Sequence, residues 1–159
     1  MKILSIALLI SGLSAVNTAY SACNIVGGKA YGDCAGVRIN DRIKGRITVR
    51  SYISESGIIE GATILRDGEL HLNGISNGDI TVREGGRFIL SGVVNGTVKN
   101  LGGNVEIEGL LDHLHTIGGQ VIVGGNVDRI SGSGPITYKR GSVVGGVPLE
   151  KTLSNAGKR

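Results

Sequence analysis

Arg87-Phe88-Ile89-Leu90-Ser91-Gly92 is echoed downstream by Asn104-Val105-Glu106-Ile107-Glu108-Gly109. In both, the second and fourth residues are apolar and the sixth is glycine. A period of two is what a strand with one buried face requires. Working outward from this pair, the same phrase follows each of six glycines: Gly45, Gly68, Gly86, Gly103, Gly119 and Gly134. The other four segments are Arg46-Ile47-Thr48-Val49-Arg50, Glu69-Leu70-His71-Leu72-Asn73, Gln120-Val121-Ile122-Val123-Gly124 and Pro135-Ile136-Thr137-Tyr138-Lys139. All twelve second and fourth positions are apolar in a chain that is only 40% hydrophobic, so the pattern is not chance. Glycine stands sixth in four of the segments, as Gly74, Gly92, Gly109 and Gly125.

The anchors recur after 23, 18, 17, 16 and 15 residues, and a looser apolar segment lies between them. A β-sandwich has no reason to repeat residue classes at such a period. Stacked coils do, because each strand lies about 4.8 Å from its equivalent and the inward columns must match. The spacing predicts an all-β, single-domain parallel β-helix, a β-solenoid of about six coils over residues 45–146. One inner column is expected to hold Ile47, Leu70, Phe88, Val105, Val121 and Ile136. The next would hold Val49, Leu72, Leu90, Ile107, Val123 and Tyr138. Glycine makes up 28 of 159 residues, and the turn glycines Gly68, Gly86, Gly103, Gly119 and Gly134 are expected to supply positive φ at corners. Pro135 opens the last anchored strand, where a missing ladder donor costs least.

The termini speak to compartment. Lys2, the apolar run from Ile3 to Val16 and Ala19-Tyr20-Ser21 form a secretory signal pattern over residues 1–21. That run is too short for a stable membrane span, and cleavage is expected after Ser21 or Ala22. The protein is therefore expected to be exported, most simply to the periplasm, with cell surface and medium as alternatives. Cys23 and Cys34 are the two cysteines, and an oxidising compartment makes a disulfide between them the default. It would close a loop worth about 3 kcal/mol within an N-terminal cap over residues 22–44. The competing reading is lipidation of Cys23, since Ser21-Ala22-Cys23 fits part of a lipobox. Residues 147–159 read as a polar, basic tail.

Several function classes are disfavoured. The net charge of +4 falls to +3 once Lys2 is removed, and aromatics are 3% of the chain, so nucleic acid is not an expected partner. The outward positions Arg46, Glu69, Arg87, Asn104, Gln120 and Pro135, and Thr48, His71, Ile89, Glu106, Ile122 and Thr137, hold no acidic ladder and no regular threonine array. Glu69 stacked on Arg87 would give modest cross-strand support. His113-Leu114-His115 puts two imidazoles on one strand face with Asp112 nearby, but no third ligand is visible, and the pair reads as a solvated strand. Glu106, Glu108 and Asp112 offer carboxylates without a pocket that would raise a pKa. Gly118-Gly119 and Gly124-Gly125 are corners, because no helix follows them to form a phosphate site. No catalytic, cofactor-binding or metal residues are assigned, and the chain is not expected to be an enzyme.

The segments Gly74-Ile75-Ser76-Asn77-Gly78-Asp79-Ile80 and Gly92-Val93-Val94-Asn95-Gly96-Thr97-Val98 resemble the coils of bactofilins, polymer-forming bacterial cytoskeletal proteins. The resemblance covers roughly residues 45 to 146. It implies a compact right-handed parallel β-helix that polymerises end to end and carries no catalytic residues. The secretory leader and the cysteine pair stand outside that family's pattern. The expected function is an exported structural or interaction protein, a scaffold at the cell envelope that engages a protein partner or itself. An inhibitor of the immunity type that binds a toxin is the alternative. A carbohydrate-binding solenoid, with envelope glycan as partner, ranks third.

Overall fold

A computed structural model describes residues 42–150 throughout, together with the backbone of strands Asn24–Val26, Lys29–Tyr31, Val37–Ile39 and Leu153–Asn155. The chain is an all-β solenoid of about six turns built from parallel strands. Each turn has three short strands, so the cross-section has three faces, here A, B and C. Face A stacks Val37–Ile39, Tyr52–Glu55, Glu69–Leu72, Arg87–Leu90, 104–107, 120–123 and Ile136–Tyr138. Face B stacks Arg42–Ile43, Ile58–Ile59, Ile75–Ser76, 93–94, 110–111, 126–127 and Val143–Val144. Face C stacks Ile47–Val49, Ala62–Ile64, Ile80–Arg83, 98–100, 114–116 and 130–132. In the middle turns the strand is unbroken around the corners, as Val93–Ile107 and Leu110–Val123.

Stacking register decides which side chains share a column. On face A the first inward column is Ile53, Leu70, Phe88, Val105, Val121 and Ile136, all buried. The second is Glu55, Leu72, Leu90, Ile107 and Val123, closing on Tyr138, whose hydroxyl pKa is pushed up by burial. Face C adds Ile47, Ala62, Ile80, Val98 and Leu114, and face B adds Ile43, Ile59, Val94, Leu111 and Val127. Each apolar side chain so buried contributes about 1.5–3 kcal/mol before chain entropy is subtracted.

Two expected column members need correction. Ile47 and Val49 are buried, but they pair with Ala62 and Ile64 on face C. Their expected places on face A belong to Ile53 and Glu55. Glu55 is fully buried, and its Oε1 accepts the N–H of Gly57 at 2.6 Å, turning the chain toward face B. The repeat on face A thus steps by 17, 18, 17, 16 and 15 residues from Ile53 onward.

Corners explain the glycines, though not all in the expected way. Of the five turn glycines Gly68, Gly86, Gly103, Gly119 and Gly134, Gly119 is the one with positive φ (74°). Before Gly68, Gly86 and Gly103 the positive φ falls one residue earlier, at Asp67 (64°), Gly85 (75°) and Gly102 (122°), and before Gly134 two residues earlier, at Gly132 (96°). Gly68, Gly86, Gly103 and Gly134 are glycine because a Cβ would crowd atoms of the preceding turn, as at Gly68, where it would strike the Val49 carbonyl.

The corner between faces A and B is a second glycine column: Gly57, Gly74, Gly92, Gly109 and Gly125. A methyl on Gly74, Gly92 or Gly109 would overlap the carbonyl oxygen of the glycine one turn earlier. That oxygen cannot move aside, because it accepts a ladder bond from the next turn, as in Val93 N–H to Gly74 O at 3.0 Å. The step from A to B is accordingly constant at three residues in five turns: Glu55 to Ile58, Leu72 to Ile75, Leu90 to Val93, Ile107 to Leu110, and Val123 to Asn126. From C back to A the step varies, with Ile64 to Leu70 spanning six residues and Val49 to Ile53 spanning four.

The stack extends past both expected boundaries. Val37–Ile39 and Arg42–Ile43, expected within the cap, already pair with the next turn. An antiparallel hairpin of Asn24–Val26 and Lys29–Tyr31 precedes them. Val147–Pro148 and Leu153–Asn155, expected in the tail, fold back antiparallel on the last strands of faces B and A. Antiparallel closure satisfies edge groups that would otherwise template another chain. The expected leader over residues 1–21 and the expected pairing of Cys23 with Cys34 lie outside the described residues. No helix among the described residues is long and apolar enough to cross a membrane.

Candidate functional site

With the core assigned to stacking, chemistry is confined to outward positions, and the three faces differ sharply there. Face B presents Ile58, Ile75, Val93 and Leu110 in one outward ladder, with Ile75 36% and Leu110 50% exposed. A groove lined by Ser91, Val93, Glu108, Leu110 and Asn126 runs along one side of it. On the other side Asn95, Asp112 and Asp128 line a second groove. Asn95 Nδ2 donates to Asn77 Oδ1 at 3.1 Å, linking two turns on that side. Arg42 precedes the ladder and Asn126 follows it.

Face C is polar. Thr48, Thr63 and Thr81 stack in one outward column, continued by Lys99, His115 and Ser131. Lys99 Nζ donates to Asp79 Oδ2 at 2.8 Å, and the Thr97 N–H donates to Asp79 Oδ1 at 2.9 Å. The Lys99 ammonium first, and the Thr97 amide second, hold the Asp79 carboxyl below its ordinary pKa. His113 and His115 do share a side of their strand. His113 Nε2 lies 2.8 Å and His115 Nδ1 2.9 Å from Ser131 Oγ, while Thr97 Oγ1 is 3.5 Å from His113 Nδ1. One hydroxyl has one proton, so Ser131 donates to one ring and accepts from the other. Asp112, the third residue considered with this pair, instead lines the groove beside face B.

Face A carries paired charges. Glu69 Oε1 lies 2.6 Å from His71 Nε2 and 3.8 Å from Arg87 Nε, so the expected Glu69–Arg87 stacking is present but long. Tyr52 meets the His71 ring edge-on, with centroids 5.0 Å apart. Lys139 Nζ donates to Glu106 Oε1 at 2.9 Å and also to Glu108. To reach Glu108 it crosses the intervening turn at Gly124, where a Cβ would require the Glu108 carboxylate to shift. The Lys139 ammonium holds the Glu106 carboxyl below its ordinary pKa, and Glu108 with Glu106 raises that of Lys139. A carboxyl so stabilised as the anion is poorly placed to give up a proton as a general acid.

Besides Glu55 and Ser142, three more buried polar residues sit at corners without a sequence signal that singled them out. Asn100 is fully buried on face C, accepting from Gly103 N at 2.8 Å and donating to Gly103 O at 3.1 Å. Ser76 Oγ donates to Gly78 O at 2.8 Å, and Thr116 Oγ1 to Gly118 O at 3.3 Å. All three satisfy the chain two or three residues ahead, at corners, as short polar side chains do in turns. Among the described residues no three His, Cys, Asp or Glu side chains form a metal-holding group. Compared with family models, curated proteins and solved structures, the chain matches none.

Proposed function

We propose that this chain is an exported, non-enzymatic structural or interaction protein, a β-solenoid scaffold that associates with a second copy of itself through face B. The outward ladder of Ile58, Ile75, Val93 and Leu110 carries this reading. Outward positions on a solenoid face water, so four consecutive apolar rungs serve no internal packing and are typical of an interaction surface. Charge along the face favours an antiparallel copy. Arg42 and Lys44, only partly offset by Glu60, lie at one end and Asp112 and Asp128 toward the other, so a two-fold pairing sets net opposite signs against each other. The antiparallel strands on the last turn speak against end-to-end stacking of the bactofilin kind at that end.

Light scattering over a wide concentration range, with electron microscopy of the heaviest fraction, tests this reading. Dimers are expected in the wild-type protein and monomers in Leu110→Lys. Because Leu110 points outward, that variant should keep its stability within about 0.5 kcal/mol. A wild-type monomer at every concentration would overturn self-association and leave face B to a different protein, such as a toxin. Filaments would overturn pairing through face B and place the adhesive surfaces at the solenoid ends.

A further inference from the structure

We propose that His113 and His115, converging on Ser131, form a binding site for a late first-row divalent cation such as Zn2+ or Cu2+ on face C. Residues two apart on a strand project to the same side, which brings the rings together but does not aim them. The aim comes from the next turn. His115 stacks on Ser131, and His113 on Arg129, so both imidazoles lean toward the single Ser131 oxygen at 2.8 and 2.9 Å. A small rotation of the Ser131 side chain leaves that point to a cation held by two ring nitrogens, with the hydroxyl and water completing the shell. The preference follows from the donors: imidazole nitrogen suits zinc, copper and nickel, whereas calcium and magnesium require oxygen.

The surroundings support the geometry. Thr97 Oγ1 lies 3.5 Å from His113 Nδ1, and in the tautomer in which Nδ1–H donates to that oxygen, Nε2 carries the lone pair facing the site. The Thr97 backbone is itself fixed by the hydrogen bond its N–H donates to Asp79 Oδ1. Lys99, beside His115, is drawn away because its ammonium is paired with Asp79. Arg129 adds a positive charge next to His113, and among the described residues no third His, Cys, Asp or Glu joins the pair. Binding should therefore be reversible, of the exchangeable rather than the structural kind.

The test is Zn2+ titration of the metal-stripped full chain, followed by nitrogen-15 shifts of the histidine rings and by calorimetry. Shifts are expected at His113 Nε2 and His115 Nδ1 and not at His71, with one equivalent bound. His113→Asn and His115→Asn should each weaken binding at least about tenfold, and His71→Gln should not. All three side chains are outside the core, so circular dichroism should show each variant folded. No ring shift at His113 and His115 in excess Zn2+ overturns the proposal. So does an affinity unchanged in both His113→Asn and His115→Asn.

Discussion

Within six residues of one strand, Leu110 to His115, the chain lays down a rung of face B and a rung of face C. Leu111 and Leu114 point inward and are buried alike. Outside, Leu110 continues an apolar ladder, while His113 and His115 continue a polar one. The two rungs share a backbone, a core and a neighbour above and below, so nothing about folding requires their exteriors to differ. Inward identity is dictated by the turn beneath. Outward identity is free of that constraint, and it is there that a solenoid records what it touches.

The comparison can be broken at the backbone first. Gly92→Ala puts a methyl against the Gly74 carbonyl at the corner feeding face B. It should cost more than about 3 kcal/mol in urea unfolding, or prevent folding. Loss of less than about 1 kcal/mol would mean that the corner is not close-packed. Next, Leu111→Ala and Leu114→Ala should each cost about 3 kcal/mol and agree to within about 1 kcal/mol, since each empties an equivalent inward site. A large inequality would show that the faces do not share one core.

The smallest effect sharpens the electrostatic side. Lys139→Met should cost less than about 1 kcal/mol, because the ion pairs are part-exposed and screened. It should also let the Glu106 carboxyl titrate nearer its ordinary value, as read by carbon-13 shifts. The pH dependence has a definite sign. Because the folded Glu106 pKa is lowered, its contribution is present above about pH 4.3 and is lost as pH falls through the folded value. Because the folded Lys139 pKa is raised, its contribution is present below about pH 10.4 and is lost as pH rises through the folded value. In Lys139→Met both dependences should flatten.

Face A was legible from sequence because its strands carry two inward residues separated by one, which alternation exposes. Face B was not, since each of its rungs has a single inward residue and no period can be read from one. The misplacement of Ile47 and Val49 has a local cause. Gly45-Arg46-Ile47-Thr48-Val49 imitates the face A phrase, while the true rung, Tyr52 to Glu55, follows Ser51 instead of glycine and ends on a carboxylate. Two signals pointed to the right register: the 23-residue interval from Gly45 to Gly68 exceeds a turn, and Gly57 stands sixth after Ser51. The histidine pair was visible as alternate residues. Its partner Ser131 was not, because contact 16 residues away requires the turn length, which the step from Gly109 to Gly125 supplies.

The glycine column between faces A and B also governs how such a chain can change length. In the five turns where that step is three residues and the glycines are close-packed, a deletion or insertion would disturb the pairing of the rungs around it. The step lengthens to five only in the last turn, from Tyr138 to Val143. The return from C to A already stretches from four to six residues without disturbing the stack. Arg66 and Asp67, exposed at that bend, mark where a foreign peptide could be spliced in and displayed along one edge, turn after turn.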